Sequence, residues 1–469
     1  MKRIKFGTDG WRAIIAHEFT TNNISRVTLA VVSYLKEKYE NPSVVIGHDC
    51  RYAGELFAET TAKVLLFNGI KVKLAKGFVS TPMVSLGVVN YKANLGIVIT
   101  ASHNPPSYNG YKLKGSFGGP LLPDEIDEVE KRIPNTNTLD IDKINLEDYK
   151  KNHLLKYIDL EKDYCKHAMN NFNLDKIKSS KINLAYDPMF GAGINVVKNL
   201  LPDTIQIHNE INPGFNGTPP EPIHRNLKEL SELIKSRKNI DCGLATDGDA
   251  DRIGLYNSKG EFIDSHHLIL LLIHYLVKYK NMSGKVVTAF SCTVKIKKIC
   301  DYYNLEHETV KIGFKHIAGK MINEDVLLGG EESGGIATKG HIPERDGIWM
   351  GLILFEFLAE SGKTIEQLIN EVYEIVGEFA FERIDLHVDQ EIKESIIANC
   401  YQNKYSSFGK YKVIKVENLD GYKFFFDDNT WVMIRPSGTE PVLRTYAEAI
   451  NQDICFDILK NVHKALLNK

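Results

Sequence analysis

The sequence predicts an α/β protein of four domains, and three observations support this class. The chain has 469 residues, which is too long for one hydrophobic core when domains usually hold about 100 to 200 residues. Through most of its length, short apolar runs typical of buried strands alternate with segments of helical periodicity, which indicates mostly parallel sheets. Beyond about residue 376, short alternating strands and turns are typical of a separate α+β domain. We therefore expect domains at 1–150, 151–256, 257–375 and 376–469.

The elements follow from apolar spacing, taken in chain order. In the first domain we expect helices at 24–39 and 55–69 and strands at 43–47, 72–75 and 95–99. In the second we expect a helix at 156–171 and strands at 182–186 and 242–245. In the third we expect a helix at 266–280 and strands at 286–290 and 309–312. The last domain has expected strands at 379–387, 411–416, 422–426 and 431–434 and a helix at 455–467.

Composition excludes several classes of function. Hydrophobic residues make up 43% and charged residues 25%, and the net charge of −2 leaves no general basic field for nucleic acid or membranes. The seven cysteines are scattered without a Cys-x-x-Cys pair, so we expect neither a disulfide framework nor a zinc site. The first residues lack the apolar core of a signal peptide, and the most apolar run, Leu268–Val277, is about half as long as a bilayer span. We therefore expect a cytoplasmic protein.

The strand at 95–99 ends in the polar loop Thr-Ala-Ser-His-Asn-Pro, at the end of an α/β sheet where ligands bind. The hydroxyl of Ser102 is a weak nucleophile that needs a base, a metal or a preloaded group. His103, Lys112 and Lys114 supply proton-transfer groups and positive charge nearby. The alternative is an ordinary turn, because Ser and Asn often bond to their own backbone.

A second polar loop, Asp-Gly-Asp-Ala-Asp-Arg from Asp247 to Arg252, also follows a strand. Its three carboxylates at alternating positions can converge on a hard cation such as Mg²⁺, which prefers oxygen ligands. The loop does not fit a calcium EF-hand, because Arg252 and Ser258 stand where that motif needs Gly and Glu. A solvated acidic turn is the remaining alternative.

Three further stretches hold residue types that bind sugars or phosphates. Near the start of the chain, two glycines precede Arg12, whose guanidinium can bind phosphate or carboxylate with two bonds. The glycine-rich run 329–335 presents Glu331 and Ser333 without backbone obstruction. The run 435–441 combines an arginine, two hydroxyls and accessible amides, which together can cradle a phosphate. Each of the three is alternatively an ordinary turn.

Together these motifs resemble those of the α-D-phosphohexomutases, the phosphoglucomutase and phosphomannomutase family, over essentially the whole chain. The resemblance implies three related α/β domains with mixed, mostly parallel sheets, a C-terminal α+β domain, and an active site in the central cleft. It implies these catalytic residues: Ser102 as phosphoserine, Lys112, Arg12, His103 and Arg252. It implies these metal ligands: Ser102, Asp247, Asp249 and Asp251. It implies these substrate contacts: Lys315, Glu331, Ser333, His341, Arg345, Arg435, Ser437, Gly438, Thr439 and Arg444.

One motif departs from part of the family. Gly-Glu-Glu-Ser and Gly-Phe-Lys are more similar to the glucose-type mutases than to the bacterial mannose/glucose type, whose loop usually reads Gly-Glu-Met-Ser-Gly-His. Gly335 stands in place of that histidine. We expect His341 or Arg345 in the space beside it, and one proton-transfer partner stays open.

The resemblance implies reversible conversion of glucose 1-phosphate and glucose 6-phosphate through phosphoserine and a bisphosphate, with Mg²⁺ as cofactor and glucose 1,6-bisphosphate as activator. We expect a monomer or homodimer whose partner is a hexose phosphate, with no nucleic acid and no membrane. Phosphomannomutase, phosphoglucosamine mutase and phosphopentomutase stay open, because a motif does not reveal pocket shape. Two other classes also stay open: a metal-dependent sugar phosphatase and a non-catalytic sugar phosphate binding protein.

Overall fold

The computed structural model describes residues 3–436 and 442–467. The chain forms two compact units: one contains the chain up to Lys285 together with Gly313–Leu368, and the other contains Val286–Ile312 and the chain from Ile369 onward. The α/β class predicted from the sequence is confirmed, as is the change to an α+β domain at the end of the chain.

The first sheet is mixed and has six strands. Its strands are β1 Trp11–Ile14, β2 Ser43–His48, β3 Lys71–Ala75, β4 Leu95–Ile99, β5 Tyr108–Gly115 and β6 Leu155–Ile158, in the order β1-β5-β4-β2-β3-β6. Its helices are α1 Thr21–Lys38, α2 Gly54–Phe67, α3 Thr81–Asn90, α4 Pro123–Lys131 and α5 Leu146–Lys151. β2 pairs in parallel with β3 and β4, whereas β5 returns antiparallel to β4.

Local signals explain where these elements begin and end. The hydroxyl of Thr20 accepts a hydrogen bond from the amide of Asn23 and so caps the start of α1. After α2, Gly69 adopts a left-handed φ of +78°, which glycine tolerates without steric cost. β4 is buried along its whole length, as expected for a central strand of a mostly parallel sheet. β6 pairs in parallel with β3 although it lies beyond residue 150, where we predicted the first domain to end.

The second sheet repeats this pattern with five strands. Its strands are β7 Leu184–Asp187, β8 Ile205–Gln206, β9 Cys242–Thr246, β10 Ile253–Tyr256 and β11 Phe262–Ile263, in the order β11-β10-β9-β7-β8. Its helices are α6 Leu160–Asn171, α7 Leu174–Ser179, α8 Ile194–Leu200 and α9 Lys228–Ser236. β7 pairs in parallel with β8 and β9, and β10 returns antiparallel to β9.

The chain from Ser265 to Val376 contributes to both units. Its elements are α10 Ser265–His274, β12 Lys285–Ala289, α11 Lys295–Tyr302, β13 His307–Val310, α12 Phe314–Asn323, β14 Val326–Gly330, β15 Ile336–Thr338, α13 Gly347–Ser361 and α14 Ile365–Val376. Within the first unit, β14 and β15 form an antiparallel hairpin. Within the second unit, β12 and β13 pair in parallel.

The C-terminal domain is an antiparallel sheet with two helices. Its elements are β16 Ala380–His387, α15 Gln390–Tyr401, β17 Ser407–Phe408, β18 Tyr411–Lys412, β19 Lys415–Glu417, β20 Tyr422–Phe425, β21 Trp431–Pro436, β22 Val442–Ala449 and α16 Gln452–Leu466. The main sheet runs β16-β22-β21-β20-β19 with antiparallel pairs throughout. α16 packs its apolar face on this sheet, as its predicted helical spacing requires.

One connection recurs three times in the first unit. A strand ends, a polar loop follows, and the next strand returns antiparallel: residues 100–107 join β4 to β5, residues 247–252 join β9 to β10, and residues 331–335 join β14 to β15. These are three of the loops in which the sequence predicted chemistry. Among residues 3–436 and 442–467, none of the helices combines the length and apolarity needed to cross a membrane.

Candidate active site

The serine predicted as nucleophile lies in the loop between β4 and β5. Ser102 is 1% exposed, and its backbone is left-handed with a φ of +53°. Its hydroxyl donates a 2.7 Å hydrogen bond to Oδ2 of Asp247 and lies 3.1 Å from Nδ1 of His103. The loop therefore brings a serine oxygen to a carboxylate of the second sheet and to an imidazole.

The three aspartates of the loop between β9 and β10 converge. One carboxylate oxygen from each lies within 4.8 Å of the others, and all three residues are buried. The backbone amides of Asp251 and Arg252 donate to Oδ1 of Asp247, so the loop folds around that carboxylate. Glycine is required at residue 248, because a β-carbon there would lie 2.6 Å from the carbonyl oxygen of Ser102. The serine loop and the aspartate loop are thus in direct contact.

Lys112, on β5, compensates the charge of these carboxylates. Its ammonium nitrogen lies 2.7 Å from Oδ2 of Asp249, 3.0 Å from Oδ2 of Asp251 and 2.7 Å from Oδ2 of Asp9. Burial alone would lower the pKa of Lys112, but the three carboxylates outweigh burial and raise it above its usual value. In this arrangement Lys112 is therefore a proton donor or a fixed positive charge.

Two oxygens of the aspartate loop remain available to a ligand. Oδ1 of Asp249 and Oδ1 of Asp251 are buried, and no hydrogen-bond donor among the described residues reaches either of them. A buried carboxylate oxygen without a partner is costly, and carboxylate oxygens are the ligands that hard divalent cations prefer. The donor set therefore fits a divalent cation held by the three aspartates, with the Ser102 hydroxyl beside them.

The pKa values of the aspartates reflect crowding of negative charge. Burial raises the pKa of Asp247 well above its usual value, and the charges of Asp249 and Asp251 raise it further. Burial would also raise the pKa of Asp249, but the charge of Lys112 outweighs it and lowers that pKa. The ammonium group of Lys112 therefore does not neutralise the aspartate loop. A bound cation would offset the remaining negative charge.

Arg345 reaches the same carboxylates from the segment before α13. Its Nη2 donates to Oδ2 of Asp251 at 2.6 Å and also to Asp9, and its Nη1 lies 3.5 Å from Oε2 of Glu331. Burial would lower the pKa of Arg345, but Asp251 and Asp9 outweigh it and raise that pKa. A β-carbon at Gly335 would lie 2.3 Å from Cδ of Arg345, so Arg345 is the residue that fills this space.

The third loop presents Glu331, which is 4% exposed. Its Oε1 accepts a 3.0 Å hydrogen bond from the amide of Gly313, and burial raises the pKa of Glu331 to about 6 against the opposing charge of Arg345. Ser333 is partly exposed two residues further along the loop, and Lys315 is partly exposed in the first turn of α12. Their contacts with a substrate stay predictions.

Two more arginines predicted as site residues are close to the loops. Nη1 of Arg12 donates to Oδ1 of Asn104 at 2.7 Å, and its Nη2 lies 3.9 Å from Asp9. Nη1 of Arg252 lies 3.8 Å from Oε1 of Glu221. Burial lowers the pKa of Arg12, and the charge of Asp9 opposes this shift. The pairing of Arg12 and Arg252 with an anionic substrate stays a prediction.

His341 is directed elsewhere. Its side chain is buried, and its Nε2 lies 3.0 Å from Oδ2 of Asp346. Its Nδ1 lies 3.2 Å from Nε2 of His167, and its ring stacks on Trp349 with the ring centroids 3.8 Å apart. Both ring nitrogens are thus engaged. Among the described residues, none of its hydrogen bonds or ion pairs reaches the aspartate loop or Glu331.

The predicted phosphate loop lies in the second unit. Its centre falls outside the described residues: Ser437, Gly438 and Thr439. The flanking residues Arg435 and Arg444 stand opposite each other on β21 and β22. Nε of Arg435 lies 3.2 Å from Oδ1 of Asp420, and no hydrogen-bond partner among the described residues reaches Nε of Arg444.

Sequence reasoning did not single out several residues that shape this site. Asp9 forms ion pairs with both Lys112 and Arg345. Burial would raise the pKa of Asp9, but the charge of Lys112 outweighs burial and lowers that pKa well below its usual value. Glu344 pairs with the buried Lys114 at 2.6 Å. The one sequence signal for Asp9 was its place between a threonine and a glycine in the opening motif. Asp49 and Arg51, which follow β2 and bind the serine loop, had no such signal.

The chain matches four domain families along its length. They are described as phosphoglucomutase/phosphomannomutase alpha/beta/alpha domain I at residues 3–140, domain II at 162–260, domain III at 264–376, and the C-terminal domain at 403–462. The matches follow one another in the order of the domains described above.

Individual proteins match over nearly their full lengths. A phosphoglucomutase/phosphomannomutase of Thermococcus kodakarensis is 30% identical, over 96% of this chain and 95% of its own length. A phosphoglucosamine mutase of Methanocaldococcus jannaschii is 31% identical, over 97% of this chain and 96% of its own length. The solved structure of a candidate phosphomannomutase from Thermus thermophilus superposes with a TM-score of 0.87 at 30% identity, covering 99% of both chains.

Proposed function

Because the chain belongs to the phosphoglucomutase/phosphomannomutase family, whose four domains it matches in order, we propose that it interconverts glucose 1-phosphate and glucose 6-phosphate. The observation that carries the proposal is the 2.7 Å hydrogen bond from Ser102 to Asp247. It joins the predicted nucleophile to the carboxylates that can hold a metal. A sugar-binding protein without catalysis has no need of this pairing.

The proposed reaction is phosphoryl transfer in two halves. A phosphoryl group on Ser102 passes to the free hydroxyl of the bound sugar phosphate: the bond between phosphorus and Oγ breaks, and a bond between phosphorus and the sugar oxygen forms. The sugar hydroxyl loses its proton to a base in the site, and Oγ takes up a proton. The resulting bisphosphate turns end for end, and its other phosphoryl group returns to Ser102 by the reverse chemistry.

The residues around Ser102 support distinct roles. Mg²⁺ bound by Asp247, Asp249 and Asp251 would offset negative charge on the transferring group, which is where most of the catalytic gain in phosphoryl transfer arises. His103 is close enough to exchange a proton with Oγ, at 3.1 Å. Lys112 holds the aspartate loop in place and provides positive charge.

Substrate recognition is proposed for the remaining predicted residues. Arg12 and Arg252 would pair with the reacting phosphate, and Glu331, Ser333 and Lys315 would bind sugar hydroxyls. A phosphate at the far end of the sugar would be held by these residues of the C-terminal domain: Arg435, Ser437, Gly438, Thr439 and Arg444. Glucose 1,6-bisphosphate would activate the enzyme by phosphorylating Ser102.

A second candidate substrate is glucosamine 1-phosphate. The relative from Methanocaldococcus jannaschii favours it, because that protein is described as a phosphoglucosamine mutase and is as similar to this chain as the phosphoglucomutase/phosphomannomutase from Thermococcus kodakarensis. Replacing a hydroxyl by an ammonium group changes only one substituent of the sugar. A pocket distinguishes the two through a few hydrogen bonds.

Phosphorus NMR tests the proposal directly. Purified protein is incubated with Mg²⁺ and a trace of hexose 1,6-bisphosphate, and glucose 1-phosphate, glucosamine 1-phosphate and mannose 1-phosphate are followed separately. We expect glucose 1-phosphate to become glucose 6-phosphate fastest, without release of inorganic phosphate. Faster conversion of glucosamine 1-phosphate would select the second candidate. Release of inorganic phosphate would indicate a phosphatase, and binding without turnover would indicate a non-catalytic protein.

A further inference from the structure

We propose that Arg51 is a positioning residue for phosphoryl transfer: it holds the serine loop in the conformation that places Oγ of Ser102 against the aspartate loop. This inference rests on the proposed function, because it concerns the same nucleophile. Arg51 stands three residues after β2 and is 51 residues from Ser102 in sequence. It belongs to none of the motifs that predicted the site.

The guanidinium of Arg51 is bound to the main chain of the serine loop. The residue is 3% exposed. Its Nη2 donates to the carbonyl oxygen of Ser102 at 2.6 Å and to that of Asn104 at 2.7 Å. Its Nη1 donates to the carbonyl oxygens of Pro105 at 2.9 Å and Tyr108 at 3.1 Å. Four carbonyl groups from one end of the loop to the other therefore converge on a single side chain.

Asp49 completes the arrangement on the amide side of Ser102. The Oγ1 of Thr100 accepts a 2.9 Å hydrogen bond from the amide of Ser102 and donates a 2.5 Å hydrogen bond to Oδ2 of Asp49. Oδ1 of Asp49 in turn accepts the amide of Arg51 at 3.0 Å, and Nε of Arg51 lies 3.4 Å from Oδ2 of Asp49. Arg51 thus binds the carbonyl of Ser102 directly, whereas Asp49 holds its amide through the hydroxyl of Thr100.

Ser102 needs such support because of its backbone conformation. A φ of +53° is unfavourable for a residue with a β-carbon, and surrounding contacts must maintain it. Arg51 binds the carbonyl oxygen of Ser102, and the same oxygen lies close to the aspartate loop. A β-carbon at Gly248 would be only 2.6 Å from it. Displacement of this carbonyl would therefore change the distance between Ser102 and the aspartate loop.

Lysine cannot reproduce these contacts. An arginine presents five donors in a rigid planar fork, whereas a lysine offers three donors from one nitrogen. The guanidinium also lies over the ring of Phe215, 4.9 Å from its centroid, and this packing suits a flat cation. We therefore expect Arg51→Lys to retain the positive charge but lose the fixed geometry of the loop.

The control is Arg26→Lys, because Arg26 is also buried, at 4% exposure, and also binds the main chain. Its Nε donates to the carbonyl oxygen of Pro134 at 2.7 Å and its Nη1 to Oδ1 of Asn23 at 2.7 Å, and neither partner belongs to the serine loop. Both variants remove a buried guanidinium of the first domain. Only Arg51→Lys should change the chemistry of Ser102.

Two measurements test the inference. In the mutase assay, we expect Arg51→Lys to lower kcat by about 100-fold while KM for the sugar phosphate changes less than about threefold, since misplacement of a reacting group acts mainly on turnover. In hydrogen exchange of the unphosphorylated protein, we expect the non-proline amides of residues 101–108 to exchange faster in Arg51→Lys. Arg26→Lys should leave kcat and the exchange of these amides at wild-type values.

Each contrary result is distinct. A folded Arg51→Lys protein with wild-type kcat would overturn the inference. So would an Arg26→Lys protein that loses as much kcat and as much Tm as Arg51→Lys, because the loss would then be a general effect of destabilisation. If the wild type converts no sugar phosphate, the proposed function fails, and the exchange of residues 101–108 still decides whether Arg51 holds the loop. Unchanged exchange in Arg51→Lys would then overturn the inference as well.

Discussion

A β-carbon on Gly335 would lie 2.3 Å from Cδ of Arg345. The missing side chain at residue 335 therefore admits the stem of an arginine whose guanidinium binds Asp251 and Asp9. His341, the other residue expected in this space, is instead engaged by Asp346 and His167. The absence of a side chain at residue 335 is thus coupled to the position of Arg345.

Gly335→Ala should disturb the site through this contact. The alanine methyl group would overlap the middle of a side chain whose end is fixed by ion pairs, so Arg345 would have to move away from Asp251. Overpacking of this kind typically costs about 1 to 3 kcal/mol. We expect a lower Tm in thermal unfolding and a decrease of kcat/KM by about tenfold or more in the mutase assay.

Gly319→Ala is the matched control for this substitution. Gly319 is in α12, and a β-carbon there would have its nearest neighbour, Cδ2 of Leu122, at an ordinary 3.7 Å. Alanine favours a helix over glycine by about 1 kcal/mol, so this variant should be at least as stable as wild type and fully active. Wild-type activity in Gly335→Ala would show that Arg345 has room to shift without consequence.

Ser102→Ala should abolish turnover and preserve binding. The hydroxyl is the proposed carrier of the phosphoryl group, whereas the proposed sugar and phosphate contacts come from other residues. We expect mutase turnover in the NMR assay to fall by at least about 10⁴-fold, as for other covalent nucleophiles. Calorimetry should give a dissociation constant for glucose 6-phosphate within a few-fold of wild type.

Ser107→Ala provides the comparison within the same loop. Ser107 is exposed, and only its backbone carbonyl takes part in a described hydrogen bond, to the amide of Ile15. This variant should keep wild-type turnover. Normal turnover in Ser102→Ala would refute the covalent scheme, because no other serine of the loop has a hydroxyl beside Asp247.

Local sequence patterns predicted several helices, strands and loops of the fold. Continuous apolar residues at 95–99 predicted β4 with the bounds that the structure has, and helical spacing predicted α1 to within three residues at its start. The loop from Asp247 to Arg252 could be recognised because chemically similar groups recur at short spacing. Its convergence then follows from the hairpin that joins β9 to β10.

The groups that complete the site depend on contacts distant in sequence. Lys112 and Lys114 lie on the same face of β5, and the strand is buried on both faces, so it lacks the alternation that would have predicted it. Their charges are acceptable only because Asp9, Asp249 and Glu344 meet them in the folded chain. The role of Arg51 is likewise invisible locally, because its partners are main-chain carbonyls, which every residue carries.

Divalent cations should stabilise the protein through the aspartate loop. Binding to the folded state alone adds about 2.7 kcal/mol when the cation is present at 100 times its dissociation constant. We expect Mg²⁺ to raise Tm, and chelation to reverse the shift and abolish turnover. Asp249→Asn should lose the Mg²⁺-dependent shift, since it removes one of the two buried oxygens that lack a donor among the described residues.

Asp203→Asn is the control for the charge change. Asp203 is exposed and distant in sequence from the aspartate loop, so its variant should keep the full Mg²⁺-dependent shift. An equal shift in Asp249→Asn and wild type would place the cation elsewhere. The measurement does not depend on the sugar substrate.

A histidine outside the site should give stability a dependence on pH. Nδ1 of His208 lies 3.0 Å from Oδ2 of Asp187, and its Nε2 lies 3.1 Å from Glu229. The hydrogen bond with Asp187 raises the pKa of His208 to about 9, against the effect of burial. Oδ1 of Asp187 also accepts the amide of Met189 at 2.8 Å. Met189 begins the turn in which the amide of Ala192 donates to the carbonyl of Gly248 in the aspartate loop, at 2.9 Å.

The sign of the effect follows from the direction of the shift. The folded pKa of about 9 lies above the unfolded value of about 6.5, so the stabilisation is complete below about pH 6.5 and is lost as pH rises through about 9. Its size is about 2 kcal/mol after a discount for the solvent-exposed contact with Glu229. We expect wild type to lose more Tm than His208→Gln between pH 6 and pH 10. Other groups that titrate in this range cancel in that comparison, so equal losses in the two proteins would mean that the ion pair with Asp187 contributes nothing to stability.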